Sequence, residues 1–188
     1  MEANKVSFDI LAQFPALITT DRLILRPIRW EDENDIFEYA SKPEVAQFMS
    51  WSAHRTIEDT RAFLKFLEDV EGKRLQIDRG IILKEENKLI GTIAFVTVDF
   101  DLLMGELGYC LSPRYWGHGY IVEAANAMID AGAKNLNLHR VEAQCEIDNY
   151  KSERVMQKLG MQQEGVYRKR LPVHGEFCDA KIYAKILK

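Results

Sequence analysis

Residues 112–137, SPRYWGHGYIVEAANAMIDAGAKNLN, limit the fold of this chain more than any other stretch of its sequence. The stretch begins with a turn that contains Gly117 and Gly119, and its apolar residues then recur at helical spacing. A short strand pattern, 106-ELGYCL-111, comes directly before it. Backbone N–H groups at a helix N-terminus are unpaired, and the helix dipole there favours negative charge. The sequence therefore predicts a strand, a glycine turn that binds an anion, and a helix.

The hydrophobic pattern of the whole chain predicts the element order β-α-α-β-β-β-α-β-α-β-β. Strands joined by short turns are expected to pair in antiparallel fashion, whereas the long helix between 106–111 and 139–147 indicates a parallel crossover. We therefore expect an α/β fold of the α+β type: a mixed, mostly antiparallel sheet of about seven strands with about four helices on its two faces. The predicted strands are 21–27, 80–84, 88–98, 106–111, 139–147, 164–171 and 177–187.

The composition is that of an ordinary globular protein. The chain has 188 residues, of which 47% are hydrophobic and 29% are charged. These values predict one folded domain, which we place at 20–188, behind an N-terminal arm at 1–19 that lacks clear periodicity. The net charge of −4 argues against direct nucleic-acid binding, which usually requires a basic excess. We expect a monomer or a homodimer.

The cysteines and the apolar runs bear on the cellular compartment. Cys110, Cys145 and Cys178 are far apart and lack CxxC spacing, which argues against a disulfide framework and against a cysteine metal site. No uninterrupted apolar run reaches the roughly 18 residues of a membrane span. The first residues, MEANKVSFDILAQ, lack the layout of a signal peptide. We therefore expect a cytoplasmic protein that uses neither a membrane nor a metal.

Two common phosphate-binding motifs do not fit the glycine turn. A Walker loop requires GxxxxGK[ST], which the chain lacks. A dinucleotide fingerprint requires GxGxxG, but Val122 stands where the third glycine should be. What remains is Arg114-x-x-Gly117-x-Gly119 between a strand and a helix. This pattern resembles the pyrophosphate loop of the GNAT superfamily of acyl-CoA-dependent N-acyltransferases.

The resemblance extends beyond the loop. It rests also on 21-DRLILRP-27, 106-ELGYCLSPRYWGHGY-120 and 149-NYKSERVMQKLGM-161, which are similar to the branch containing the ribosomal-protein N-terminal (alanine/serine) acetyltransferases. It covers about 20–188, nearly the whole chain. It implies a GNAT fold and an enzyme that transfers an acetyl group from acetyl-CoA, its co-substrate, to a primary amine. A module that binds coenzyme A without turnover is the alternative.

The resemblance also implies where coenzyme A binds. Gly117 and Gly119 lack side chains, so backbone N–H groups can approach the diphosphate, and Arg114 can add a charged contact. Asn149 either caps the next helix or also hydrogen-bonds the pantetheine arm. A backbone N–H near Leu111 is expected to stabilise the oxyanion of the reaction. The predicted cofactor-binding residues are Leu111, Arg114, Gly117, His118, Gly119, Tyr120 and Asn149.

Two candidate catalytic residues follow from the chemistry of acyl transfer, which needs a neutral amine and a proton for the departing thiolate. Glu106, at the start of the strand that enters the loop, is the candidate base, although a solvent-exposed edge position would explain it nearly as well. Many GNAT enzymes carry a tyrosine acid seven residues after the asparagine, but here that position is Met156. The resemblance shifts the acid role to Ser152. Tyr150 is an alternative acid, and helix capping alone is an alternative role for Ser152.

The acceptor site is predicted between the first two helices. The segment 41-SKPEVAQFMSWSAHRT-56 is rich in aromatic residues and lies where GNAT acceptor sites usually form. Phe48, Trp51 and His54 are the predicted substrate-binding residues, although core packing explains the phenylalanine and the tryptophan about as well. The preferred acceptor is a protein N-terminal amine. A small amine, such as a polyamine, an amino acid or an aminoglycoside, is the alternative.

Overall fold

The computed structural model of the protein describes residues 2–70 and 76–187, in which six α-helices and eight strands occur. No helix in these ranges is long and apolar enough to cross a membrane. The helices are α1 Glu2–Leu11, α2 Glu33–Ala40, α3 Pro43–Ala46, α4 Ile57–Val70, α5 Tyr120–Asn135 and α6 Tyr150–Lys158. The strands are β1 Ile18–Thr19, β2 Leu23–Arg26, β3 Ile77–Leu83, β4 Lys88–Asp99, β5 Met104–Leu111, β6 Arg140–Glu146, β7 Gln162–Val173 and β8 Glu176–Ile186.

All eight strands form one sheet, in the order β1-β2-β3-β4-β5-β6-β8-β7. Every neighbouring pair is antiparallel except β5 and β6, which run parallel because α5 carries the chain back across the sheet. The predicted mixed and mostly antiparallel sheet is confirmed. The eighth strand is the two-residue β1, which is too short to produce a recognisable sequence pattern.

The sheet has two differently covered faces. On one face, Leu107 and Leu111 of β5 belong to the same buried cluster as Met128 of α5 and Met156 of α6. On the other face, residues of α2 and α4 form a second cluster, against which Cys110 of β5 packs. Successive side chains of a strand point to opposite faces. Even-numbered positions of β5 therefore face α2 and α4, and we call this side of the sheet the α2–α4 face.

The strands β5 and β6 separate soon after they begin. Their pairing runs only from Met104–Glu106 against Arg140–Glu142, although β5 continues to Leu111. The ladder between β4 and β5 is also irregular between Phe95 and Thr97, where a bulge bends the strand. The result is a V-shaped opening in the middle of the sheet, and Glu106 lies where it starts.

Residues 1–19, expected to form an N-terminal arm because they lack clear periodicity, contain α1 and β1. Phe14 of this segment is buried, and its ring meets that of Phe95 edge-on at a centroid distance of 6.1 Å. Ile10 and Leu11 pack partly against the same cluster. The segment is therefore ordered by tertiary packing, which a search for local periodicity does not detect.

Candidate active site

The glycine turn has the geometry that an anion site requires. Gly117 and Gly119 have φ values of 82° and 80°, in the left-handed region where residues with a Cβ are strained. Gly119 is the N-cap of α5, which begins at Tyr120. A Cβ atom built on Gly117 would meet no described heavy atom within 4 Å. A diphosphate can therefore approach the unpaired N–H groups at the start of α5.

Arg22 holds this turn in place from the other end of the chain. It donates from Nη1 to the His118 carbonyl oxygen at 3.0 Å and from Nε to Oε2 of Glu123 at 2.7 Å. Its guanidinium carbon lies 4.4 Å from the centroid of the Tyr120 ring. Arg22 lies within the DRLILRP stretch, but no local pattern gives it a role, because its partners lie about a hundred residues away and only the fold brings them together.

Glu123 explains why a cation is needed there. It lies in the first turn of α5, next to the expected position of the diphosphate, and it would repel that group if it were unpaired. Partial burial opposes its ionisation, but hydrogen bonds from Thr20 and Arg22 outweigh this effect and keep the pKa of Glu123 below its usual value. The ion pair with Arg22, at 2.6 Å, leaves the turn without a net negative charge from this carboxylate.

The remaining loop side chains are disposed around the turn. Arg114 is 67% exposed and lies 3.8 Å from Glu86, so its guanidinium can turn towards a bound anion. The imidazole of His118 is exposed and contacts the Trp116 carbonyl oxygen at 2.9 Å. Its ring stacks on that of Tyr120. These contacts agree with a backbone role for His118 rather than a catalytic one.

Trp116 links the loop to the end of β5. Its indole N–H donates to the Leu111 carbonyl oxygen at 2.8 Å, and Lys151 Nζ of α6 lies 3.8 Å from the centroid of its ring. The loop and α6 therefore meet at the wide end of the V-shaped opening. Leu111 itself is buried at this end, beyond the last pair between β5 and β6.

The start of α6 shows that Asn149 and Ser152 make different contacts. Asn149 is the N-cap, since its Oδ1 accepts from the Ser152 N–H at 3.1 Å. The Ser152 hydroxyl instead lies 3.0 Å from the hydroxyl of Tyr109 in β5. Burial raises the pKa of Tyr109, so its phenol is protonated at neutral pH. Helix capping therefore does not account for the Ser152 side chain.

Two other residues of α6 are poorly placed to donate a proton. Met156 is fully buried in the core, which confirms that the usual tyrosine position holds an apolar side chain without a proton to donate. Tyr150 is 65% exposed, and its hydroxyl lies 3.3 Å from Oδ1 of Asp148. Tyr109, which sequence reasoning missed, supplies the hydroxyl beside Ser152. The sequence pattern of β5 does not indicate this role of Tyr109, because its contact with Ser152 joins β5 to α6.

Glu106 is a half-buried carboxylate with unused acceptor capacity. Its neighbours in register are Thr97 of β4 and Glu142 of β6. Gln144 Nε2 donates to Oε1 of Glu106 at 2.7 Å, and within residues 2–70 and 76–187 no other side-chain hydrogen bond to this carboxylate occurs. An ionised carboxylate can accept about four hydrogen bonds. Glu106 can therefore accept a proton from a group placed in the opening.

A cavity of about 620 Å³ lies on the α2–α4 face. Trp51 and His54 line it, as the sequence predicted for acceptor binding, but Phe48 is not among its lining residues. His54 Nδ1 contacts the buried Thr60 hydroxyl at 2.8 Å, and burial lowers the pKa of His54, which favours the neutral imidazole. The other aromatic walls come from Tyr39, Phe63 and Phe66.

The cavity and Glu106 lie on the same face of β5. Cys110 lines the cavity, and it shares a face of β5 with Glu106 because the two are four residues apart. Gly108 is the residue between them on that face, and its partner on β4 is Ala94. The Val96 side chain of β4 lies over Gly108, since a Cβ built on this glycine would meet Val96 Cγ1 at 2.9 Å. A substrate that reaches from Glu106 to the cavity must therefore pass beside Val96.

Comparisons with known proteins agree with this geometry. Residues 22–162 match the model of the acetyltransferase (GNAT) domain family. The uncharacterised N-acetyltransferase YnaD of Bacillus subtilis is 35% identical over 167 residues, covering 89% of this chain and 95% of the relative. The crystal structure of a GNAT-family acetyltransferase from Bacillus anthracis superimposes with a TM-score of 0.79 at 34% identity, over 90% of this chain and 98% of that chain.

Two more distant relatives have named substrates. The ribosomal-protein-serine acetyltransferase of Escherichia coli is 28% identical and covers 78% of this chain and 82% of its own length. The spermidine N(1)-acetyltransferase of the same species is 25% identical, and the match covers 83% of this chain and 81% of that enzyme. One therefore modifies a protein and the other a polyamine.

The Arg22 contacts yield a prediction on cofactor affinity. Arg22→Gln should weaken coenzyme A binding by about tenfold, because the turn loses a support and Glu123 is left unneutralised beside the diphosphate. Isothermal titration calorimetry measures the change. Arg168→Gln, which removes an exposed arginine of β7 away from the loop, should bind coenzyme A as the wild type does. An unchanged affinity in Arg22→Gln would contradict the role given to this residue.

The contact between Ser152 and Tyr109 yields a prediction on proton delivery. Ser152→Ala should lower kcat by about a hundredfold while acetyl-CoA affinity changes little, since a general acid contributes to turnover rather than to binding. Tyr109→Phe should lower kcat in the same direction, and Tyr150→Phe serves as the control with unchanged turnover. Steady-state kinetics and calorimetry separate the two effects. If Ser152→Ala loses affinity as much as turnover, Ser152 is only a binding contact.

Proposed function

The chain belongs to the GNAT acetyltransferase family and transfers an acetyl group from acetyl-CoA to an amine, and we propose that its acceptor is the α-amino group of a protein N-terminus. The catalytic domain proposed for this reaction spans 20–188 and includes the part of the chain that matches the family. The observation that carries the proposal is the cavity with aromatic walls on the face of β5 that also carries Glu106. It suits the side chain of a peptide whose amine lies at Glu106.

Acetyl-CoA is proposed to bind from the glycine turn into the V-shaped opening. Its diphosphate accepts hydrogen bonds from the N–H groups at the start of α5, with Arg114 as a charged partner. Asn149 and Trp116 border the path of the pantetheine arm. The edge of β5 between Leu107 and Leu111 has no strand partner on the β6 side, so its backbone groups can bind that arm in the manner of a strand.

Glu106 is proposed to accept a proton from the acceptor amine as it attacks the thioester. At pH 7, neutralising an α-amino group with a pKa near 8 requires only about 1 kcal/mol, whereas a lysine amine requires about 4–5 kcal/mol. A single half-buried carboxylate is adequate for the first task, and the neighbouring Glu142 is already bound to Arg140. This difference supports an N-terminal amine as the acceptor.

The tetrahedral intermediate then collapses to products. Its oxyanion is stabilised by a backbone N–H near Leu111, on the part of β5 that has separated from β6. Breaking the carbon–sulfur bond releases the thiolate of coenzyme A, which takes a proton from the Ser152 hydroxyl. Tyr109, in contact with Ser152, can replace that proton. The acetylated amine then leaves the opening.

The lining of the cavity favours an apolar side chain over a polycation. Its walls include Trp51, Phe63 and Phe66, and Asp59 is the carboxylate among its lining residues. Asp59 Oδ2 already accepts the Arg55 and Thr56 N–H groups at 2.7 and 3.0 Å. Since Arg55 also lines the cavity, its charge opposes a polyamine. The ribosomal-protein relative is therefore the better guide to the acceptor than the spermidine relative.

The variant Glu106→Gln tests both the role of Glu106 as the base and the class of the acceptor amine. With a peptide acceptor, the variant should be slowed most near neutral pH, and the loss should flatten above about pH 8, where the α-amine is already neutral. With a lysine-like or polyamine acceptor, the rate of the variant should continue to recover towards about pH 9.5, because the free amine accumulates only at higher pH. Single-turnover rates measured across this range with both kinds of acceptor check the prediction.

The neighbouring carboxylate supplies the control for this experiment. Glu142, opposite Glu106 in register, is bound to Arg140 at 2.7 Å, so Glu142→Gln should leave the pH profile of the reaction in place. A Glu106→Gln variant that matches wild type at every pH removes Glu106 from the mechanism. Faster turnover of spermidine than of every peptide tested would overturn the proposed acceptor while leaving the base assignment intact.

The cavity yields a prediction on acceptor recognition. Trp51→Ala should raise KM for a peptide with an apolar first residue by about tenfold, because it removes an aromatic wall that covers this side chain. The affinity for acetyl-CoA should not change. Trp30→Ala, which removes a half-exposed tryptophan outside the cavity, is the matched control. The same KM in Trp51→Ala and wild type would show that the peptide side chain binds elsewhere.

A further inference from the structure

We infer that Gln144 is a positioning residue that holds the carboxylate of Glu106 for proton transfer. The inference rests on the proposed role of Glu106 as the base. It starts from two observations on one side chain: the Gln144 amide donates to Glu106, and its carbonyl oxygen is buried without a hydrogen-bond partner in the described part of the chain.

The backbone places Gln144 just inside the V-shaped opening. Glu142 of β6 is the last residue paired with β5, opposite Glu106, and Gln144 follows two positions later on the same face. Its side chain reaches back across the gap, and Nε2 lies 2.7 Å from Oε1 of Glu106. The hydrogen bond therefore connects the two strands where their backbone ladder has already ended.

The orientation of the amide follows from the charge on Glu106. If the amide were turned over, the carbonyl oxygen of Gln144 would face a carboxylate, and two acceptors would repel each other. The observed orientation leaves Gln144 Oε1 buried and unpaired, which is unfavourable for a polar atom. An amide that served only to fill space would gain nothing from this arrangement. The donor contact to the Glu106 carboxyl group is what compensates for it.

The contact leaves Glu106 partly restrained and partly free. Oε1 receives the amide N–H, while no described side chain donates a hydrogen bond to Oε2. The nearest charged groups on β6 are Glu142 and Arg140, which bind each other, so no cation of the described residues pairs with Glu106. Gln144 therefore fixes the direction of the carboxylate and leaves the second oxygen to accept the proton of the amine, directly or through water.

A double-mutant cycle between the two residues tests the inference. Gln144→Leu removes both polar atoms with little change in size, and it should lower the single-turnover acetylation rate by about tenfold. In the Glu106→Gln background, the same substitution should change the rate by less than about twofold, because the group it positions is no longer a base. The affinity for acetyl-CoA should stay the same in all four proteins.

The controls separate positioning from general structural damage. Gln162→Leu, an exposed strand position in β7, should behave as the wild type, and melting temperatures show whether each variant folds. If Gln144→Leu does not fold, Gln144→Met replaces it in the cycle, because its unbranched side chain can follow the path of glutamine. Rate losses that are equal in both backgrounds mean that Gln144 is structural, and they overturn the inference.

The outcome also distinguishes this inference from the proposed function. If Glu106→Gln alone has no effect, the proposed base is wrong, and the role of Gln144 falls with it. If Glu106→Gln is slow but Gln144→Leu reacts at the wild-type rate, the base assignment stands and only the positioning role is overturned.

Discussion

The separation of β5 from β6 is the constraint on which the rest of the structure depends. A parallel pair of strands needs a crossover, and α5 supplies it, so the helix that carries the anion-binding N-terminus follows β5 after the loop of residues 112–119. The bulge in β4 bends the sheet at the level where the pairing stops. Cofactor path, base and acid are therefore arranged around a single gap between two strands.

The gap also explains why distant parts of the chain are tied to the site. A loop beside an open sheet has fewer neighbours than one in a closed core, so its conformation depends on specific contacts. Arg22 supplies such contacts to the glycine turn, Trp116 joins the turn to β5, and Gln144 bridges the gap itself. Each contact uses a polar group whose alternative partner is water. The geometry of these three polar contacts can therefore change more easily than the packing of Leu107 or Met128 in the core.

Much of this arrangement could be predicted from the sequence, and the reason lies in local patterns. The order of strands and helices, the glycine turn and the loss of the tyrosine acid at Met156 all follow from periodicity or from a motif. Tyr109, Gln144 and Arg22 could not be assigned in this way, because each acts through a partner on another element. Phe48 and Trp51 looked alike in the sequence, and only the path of the chain after α3 decides which of them reaches the cavity.

Tyr109 and Glu106 lie three residues apart on β5, on opposite faces of one regular strand. In the proposed mechanism they stand on the delivering and receiving sides of proton transfer. One rigid strand then sets the spacing between them, whereas Ser152, whose proton goes to the thiolate, belongs to α6. The strand therefore fixes where Tyr109 stands relative to the base, while the packing of α6 against β5 fixes where the Ser152 proton is delivered.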